Sequence, residues 1–216
     1  MGFDLACAEE DYPPKAHREA FFMILNNNLN CTVHAGEGYG PESIHQAIHY
    51  CGAHRIGHGT RLKENGDLFN YVYDHRIPLE ICLKSNVQTK TVTSIEKHPF
   101  KFYYEYGLRV TLNTDNRLVS ETTVTDEYLL AASTFGYTME NLHDIVINGF
   151  KSAFISQRKK VKLLSEVLAI LGRPSYEGGP VEYRQKKMGQ EPPQKRKYLP
   201  KQSSANTSAS PTNASA

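Results

Sequence analysis

Several signatures of common protein classes are missing from this sequence. Its 216 residues contain no run of about 18 apolar residues, the length that a membrane-spanning helix requires. The formal net charge is only +2, so no general electrostatic attraction to nucleic acid or to an anionic membrane is expected. A Gly-x-Ser-x-Gly nucleophile elbow, a P-loop and a dinucleotide-binding glycine fingerprint are all absent. We therefore expect no nucleic-acid partner and no membrane partner.

Cysteine is sparse and shows no pairing pattern. The four cysteines form no Cys-x-x-Cys pair, and the first residues lack the basic and long apolar regions of a signal peptide. Unpaired thiols are typical of a reducing compartment. The sequence predicts a cytoplasmic location.

What the sequence does contain is an alternation of strand-like and helix-like segments, which is typical of parallel strands with helices packed outside. A closed (β/α)8 barrel needs eight strands, so the five visible here predict either an open sheet or a piece of a barrel. The predicted strands span 2–7, 31–35, 55–58, 77–82 and 109–113, and the predicted helices span 14–28, 41–51, a segment around 68–72, 99–106, 125–135, 139–154 and 156–171.

The composition changes near residue 174. Beyond it come two basic clusters, at 184–187 and 195–197, and a final stretch of small polar residues. Such a segment cannot bury enough apolar area to offset its ordering entropy. We predict a folded domain over residues 1–173 and a disordered tail over 174–216. The basic clusters fit a solvated tail best, with a nuclear address or an anion-binding patch as alternatives.

Polar residues follow the predicted strands at the point where each strand ends. They are the segments His34-Ala-Gly-Glu37, Gly57-His-Gly59, Ser85-Asn86 and Asn113-Thr-Asp-Asn116. In a parallel α/β protein, that edge of the sheet is where catalytic groups gather. The sequence therefore predicts a reactive site at this edge.

The residue types in these segments favour metal-assisted hydrolysis. His34 and Asp115 are candidate ligands of a catalytic zinc ion, which takes His and carboxylate ligands and leaves one position open for water. Glu37 and His58 are candidates for acid–base chemistry in the same pocket.

The other histidines are weaker candidates. His45 and His49 are four residues apart on one predicted helix and could chelate a surface metal, but they lack the general-base glutamate of a zincin. His54 is predicted to lie in a loop, and His98, just before a proline, to begin a helix.

Five segments, in this order and spacing, resemble the adenosine/AMP deaminase family over residues 2–171. They are Phe3-Asp-Leu-Ala6, Thr32-Val-His-Ala-Gly-Glu37, Gly57-His-Gly59, Leu79-Glu-Ile-Cys82 followed by Ser85-Asn-Val-Gln88, and Leu112-Asn-Thr-Asp-Asn116. The resemblance implies a TIM-barrel hydrolase that converts adenosine or deoxyadenosine to inosine or deoxyinosine and ammonia.

The resemblance also implies the roles of the catalytic residues. It makes His34 and Asp115 zinc ligands, gives Glu37 the protonation of purine N1, and has His58 orient and deprotonate the zinc-bound water. Zinc-bound water ionises near neutral pH, which is consistent with hydrolysis under ordinary conditions.

Three further positions are implied to bind the substrate. Asn116 would contact purine N7, the backbone near Cys7 would approach N3, and Ser85 would lie near the pocket. The family's usual glycine is replaced here by Cys7, which places a side chain where the backbone must come close. The family's second aspartate is replaced by Asn116, which can donate a hydrogen bond without first being protonated.

One family motif is missing. The family supplies two more zinc ligands from a His-x-His near the end of its first strand, and this sequence contains no His-x-His. The resemblance thus implies the C-terminal part of a partial (β/α)8 barrel, with about five of its eight strands present. Its open edges could pair with a complementary chain. The alternatives are a non-catalytic truncated isoform and a deaminase of another N6-substituted purine.

Overall fold

The computed structural model describes residues 2–6 and 8–174. Strands and helices alternate along this part of the chain, and two consecutive helices separate the last two strands. The strands are β1 (Gly2–Leu5), β2 (Asn30–Ala35), β3 (Arg55–His58), β4 (Leu79–Ile81) and β5 (Val110–Leu112). The α-helices are α1 (Arg18–Asn26), α2 (Pro41–His49), α3 (Gly66–Asp74), α4 (Leu83–Gln88), α5 (Phe100–Tyr106), α6 (Val124–Phe135), α7 (Met139–Ser152) and α8 (Gln157–Ile170).

The five strands form one sheet in sequential order, and every neighbouring pair is parallel. At least one helix connects each strand to the next. A doubly wound sheet would reverse its strand order at a switch point, whereas a β/α barrel keeps the order of the sequence. The sheet therefore confirms the prediction of a partial α/β barrel.

The core lies between the sheet and the helices. Val33, Ile56 and Ile81 of the central strands are completely buried, as are Ile44 and Ala47 on one face of α2. Strands covered on both faces read as nearly continuous apolar runs, which is why they could be recognised in the sequence. This packing fixes the strand ends relative to one another.

Most predicted boundaries are shifted by one or two residues, and two differences are larger. The helix predicted over 14–28 consists of a 3-10 turn, Pro14–His17, followed by α1. The short helix α4 was not predicted. Elsewhere the helices and strands lie where the sequence indicated, and Gly107 ends α5 with a φ of 100° as expected of a C-terminal glycine.

Some predictions fall outside the described residues. These are the disordered state of residues 175–216 and the contact near Cys7. Among the described cysteines, Cys31, Cys51 and Cys82 are free and buried. Within the described segments, no helix combines the length and the apolar character needed to cross a membrane.

Candidate active site

The parallel register brings the polar strand ends to one edge of the sheet. His34 pairs with Gly57 and Ala35 pairs with His58, so the two histidines leave neighbouring strands at almost the same level. A Cβ atom built on Gly57 would lie 2.7 Å from Cδ2 of His34. Glycine at this position therefore makes room for the His34 ring.

Glu37 and the two histidines form a contiguous group. Nδ1 of His34 lies 3.2 Å from Nε2 of His58, and the two rings meet edge to face with centroids 4.8 Å apart. Oε2 of Glu37 lies 3.6 Å from the same Nε2. One ring nitrogen thus faces both a candidate ligand and a candidate proton donor.

Asp115 completes this edge from the loop after β5. The hydroxyl of Ser85 donates a hydrogen bond to Oδ2 of Asp115 at 2.7 Å. Burial, and to a smaller extent His34, lower the pKa of His58, and the negative charge of Asp115 partly opposes this shift. His58 is therefore neutral at ordinary pH.

Two of these residues have an unusual backbone conformation. His58 has a φ of 62° and Asp115 a φ of 55°, in the left-handed region that few non-glycine residues occupy. Such strain persists only where the surrounding structure imposes it, and it concentrates at functional sites.

Asn86 belongs to a polar segment of the sequence but has no predicted role, yet it lies at the centre of the site. It is completely buried, and its amide nitrogen is 2.9 Å from Oε1 of Glu37 and 3.1 Å from Nδ1 of His58. His98 was predicted only as a residue that begins a helix. In the structure its side chain also contacts Asn86, at 3.2 Å.

Glu9 was also missed. Its carboxylate accepts hydrogen bonds from the backbone N–H groups of Glu37 and Tyr39, each at 3.0 Å, and from the hydroxyl of Ser43 at 3.2 Å. These bonds anchor the loop that carries Glu37. Because Glu9 is 28 residues from Glu37 in sequence, no local motif could have indicated the contact.

The remaining candidate residues lie on the surface. Asn116 is exposed, and its Oδ1 accepts hydrogen bonds from the backbone N–H groups of Leu118 and Val119. His45 and His49 lie exposed on α2 with ring centroids 4.4 Å apart.

The side chains at this edge of the sheet include the types of ligand that zinc binds. An imidazole and a carboxylate, His34 and Asp115, are the ligands that catalytic zinc uses. Within residues 2–6 and 8–174, however, no group of three or more His, Cys, Asp or Glu side chains is arranged to hold a metal ion. The described residues therefore offer two side chains of the kinds that zinc takes as ligands.

Comparison with known proteins identifies the family of this chain. The family model for adenosine deaminase matches residues 1–170. An adenosine deaminase of Mycobacteroides abscessus is 43% identical over 187 residues, which cover 82% of this chain and 51% of the relative. The chain thus spans about half the length of the curated relatives that it matches.

Two solved structures share the fold. The adenine deaminase of Arthrobacter aurescens superposes with a TM-score of 0.75 at 26% identity, over 79% of this chain and 52% of that one. An amidohydrolase of Burkholderia ambifaria, solved with bound zinc, has a TM-score of 0.69 at 22% identity, over 79% and 50% of the two chains. With the family model covering most of its length, this chain belongs to the adenosine deaminase family.

Proposed function

We propose that this chain carries the C-terminal part of the active site of a zinc-dependent enzyme that deaminates adenosine or deoxyadenosine. The products would be inosine or deoxyinosine and ammonia. The observation that carries the proposal is the cluster of Glu37, His34 and His58 at one strand edge, with Asp115 beside it. Family membership supports the same reaction.

The chemistry divides among these residues. Water attacks C6 of the purine, electrons move onto N1, and the amino group leaves as ammonia. Glu37 would donate the proton that N1 takes up, and His58 would contact and orient the attacking water. His34 and Asp115 would hold the zinc ion, which makes water a stronger nucleophile at neutral pH when it is bound.

The nature of the purine is a separate part of the proposal. The neighbour from Arthrobacter aurescens is described as an adenine deaminase, which makes the free base a second substrate to test. Another N6-substituted purine is a third. For the substrate-binding residues, Ser85 touches Asp115 directly, and we propose that it and Asn116 border the purine together with the backbone near Cys7.

The proposal can be tested with a chimeric enzyme. The part of the Mycobacteroides abscessus relative that this chain does not match would be joined to this chain, and zinc content and adenosine turnover would be measured. We expect bound zinc and turnover. Adenine and N6-methyladenosine, assayed in parallel, would distinguish the substrate classes.

Matched variants separate the roles. Glu37→Gln keeps the shape of the side chain but cannot transfer a proton, so kcat should fall at least about 100-fold with zinc retained. Asp115→Ala should lose both zinc and turnover, since it removes a ligand. A chimera that binds zinc stoichiometrically but deaminates no purine would support the non-catalytic alternative and overturn the proposed function.

A further inference from the structure

Asn86 makes four side-chain hydrogen bonds in a fully buried position. Its Oδ1 lies 2.9 Å from the hydroxyl of Thr60 and 3.2 Å from Nε2 of His98. Its Nδ2 lies 2.9 Å from Oε1 of Glu37 and 3.1 Å from Nδ1 of His58. An amide has one acceptor and two N–H donors at its end, and here every one of them is used.

The backbone settles which nitrogen of His98 carries the proton. Nδ1 of His98 accepts a hydrogen bond from the backbone N–H of Phe100 at 3.0 Å, so this nitrogen is unprotonated. Burial lowers the pKa of His98 to about 3, which keeps the ring neutral. The single ring proton therefore lies on Nε2 and is donated to Asn86.

The orientation of the Asn86 amide follows from this proton. The opposite orientation would place its NH2 group against the N–H of His98 and its oxygen against the carboxylate of Glu37. With Oδ1 toward His98, Nδ2 donates to Nδ1 of His58. A neutral imidazole has one donor and one acceptor nitrogen, so the proton of His58 must lie on Nε2.

We propose that Asn86, oriented by His98, is a positioning residue that holds His58 in the tautomer with its proton on Nε2. Nε2 is the atom that faces Nδ1 of His34 and Oε2 of Glu37. Neutral His58 then presents an N–H donor to the reacting atoms. Through this N–H it orients the attacking water by donating a hydrogen bond to the water oxygen.

The same contacts assign the two oxygens of Glu37. Oε1 accepts hydrogen bonds from Nδ2 of Asn86 and from the hydroxyl of Thr89, both at 2.9 Å. Both of these hydrogen bonds fall on Oε1, so Oε2 is the oxygen that we assign to proton exchange with purine N1. The catalytic meaning of both assignments rests on the proposed function, whereas the tautomer of His58 does not.

The tautomer can be read directly by NMR. The full chain, labelled with 15N and kept near pH 8 without added metal, would be examined by long-range 1H–15N correlation, in which an unprotonated ring nitrogen resonates well downfield of a protonated one. The His58→Gln variant identifies the signals of His58. We expect an unprotonated Nδ1 and a protonated Nε2.

Two substitutions at one position provide the matched comparison. His98→Gln places an amide N–H close to the position of Nε2 and should preserve the His58 tautomer. His98→Asn can still accept the Phe100 N–H but cannot reach Asn86, so the His58 signals should move toward an average of both tautomers. Asn86→Asp replaces the donor by an acceptor and should shift the His58 proton to Nδ1.

The outcomes are separable. A wild-type spectrum with the His58 proton on Nδ1 overturns the proposal even if none of the variants folds. Identical His58 signals in the wild type and in Asn86→Asp would overturn it as well. Because the measurement needs neither substrate nor turnover, an inactive chimera with the expected His58 tautomer would count against the proposed function alone.

Discussion

Three polar side chains around the candidate site are almost completely buried: His58, Asn86 and His98 are 1%, 0% and 3% exposed. Burying a polar group is costly unless hydrogen bonds replace its contacts with water. In this group the replacement is reciprocal, because each side chain is hydrogen-bonded to another member of the group. Protonation of one member would remove an acceptor and would place a charge where water cannot reach it.

This burial predicts an acid-labile fold. His98 has a pKa of about 3 in the folded chain, against about 6.5 when unfolded, so between these values the unfolded state binds the extra proton. Stability is therefore lost as pH falls from about 6.5 toward 3, by at most about 1.4 kcal/mol per pH unit from this residue. Urea unfolding at a series of pH values would measure the slope.

The His98→Gln variant is the control for that slope. Glutamine does not titrate in this range, so the variant should lose less stability per pH unit than the wild type. Equal slopes for the two proteins would show that His98 does not contribute to the acid sensitivity.

The helix α4 carries both Ser85 and Asn86, and its first turn is held from outside. It has only six residues, and no side chain of its own caps its N-terminus. Instead the buried carboxylate of Glu127, on α6, accepts a hydrogen bond from the backbone N–H of Leu83 at 2.9 Å and a longer one from Lys84. The position of α4 therefore depends on α6.

Removing this cap should destabilise α4 without changing any residue of the candidate active site. Glu127→Ala leaves buried N–H groups unpaired, and we expect the free energy of unfolding to fall by about 1–3 kcal/mol. Hydrogen exchange should accelerate at the first residues of α4. Glu127→Gln retains one acceptor oxygen, so its free energy of unfolding and its exchange rate in α4 should lie between those of the wild type and Glu127→Ala. Unchanged exchange in α4 of Glu127→Ala would contradict the capping role.

The same helix shows where sequence reasoning reaches its limit. Strands and amphipathic helices were predicted correctly because their apolar spacing is local. His34, Glu37 and His58 could be proposed as candidates because each lies in a short segment at a strand end. The cap of α4 lies 44 residues away from it, and Glu9 lies 28 residues from Glu37. Contacts of this kind become visible only when the chain is folded.

At the scale of the whole molecule, the main feature is a sheet whose two edge strands, β1 and β5, are open. β1 and β5 each pair with one neighbour, and within the described residues no further strand covers their outer edges. The chain spans about half the length of the curated relatives that it matches. Unpaired parallel edges next to apolar side chains favour association with another strand. We therefore expect the isolated chain to self-associate.

Phe3 offers a way to test this expectation. It lies on β1, is 45% exposed and makes an edge-to-face contact with Phe21, at 5.9 Å between ring centroids. Phe3→Lys places a charge on the open edge and should raise the fraction of monomer at a given concentration. Phe22→Lys introduces the same charge at a phenylalanine on α1 that is 66% exposed, and it should leave association unchanged.

Sedimentation velocity over a range of concentrations would compare the three proteins. If the open sheet drives association, the wild type and Phe22→Lys should form larger species as concentration rises, whereas Phe3→Lys should resist this. Strand edges act through the backbone, so the charge on Phe3→Lys works by repelling a second copy and not by removing the edge. A wild type that stays monomeric at every concentration, with one sharp and reversible thermal transition, would show that five strands suffice for a stable fold.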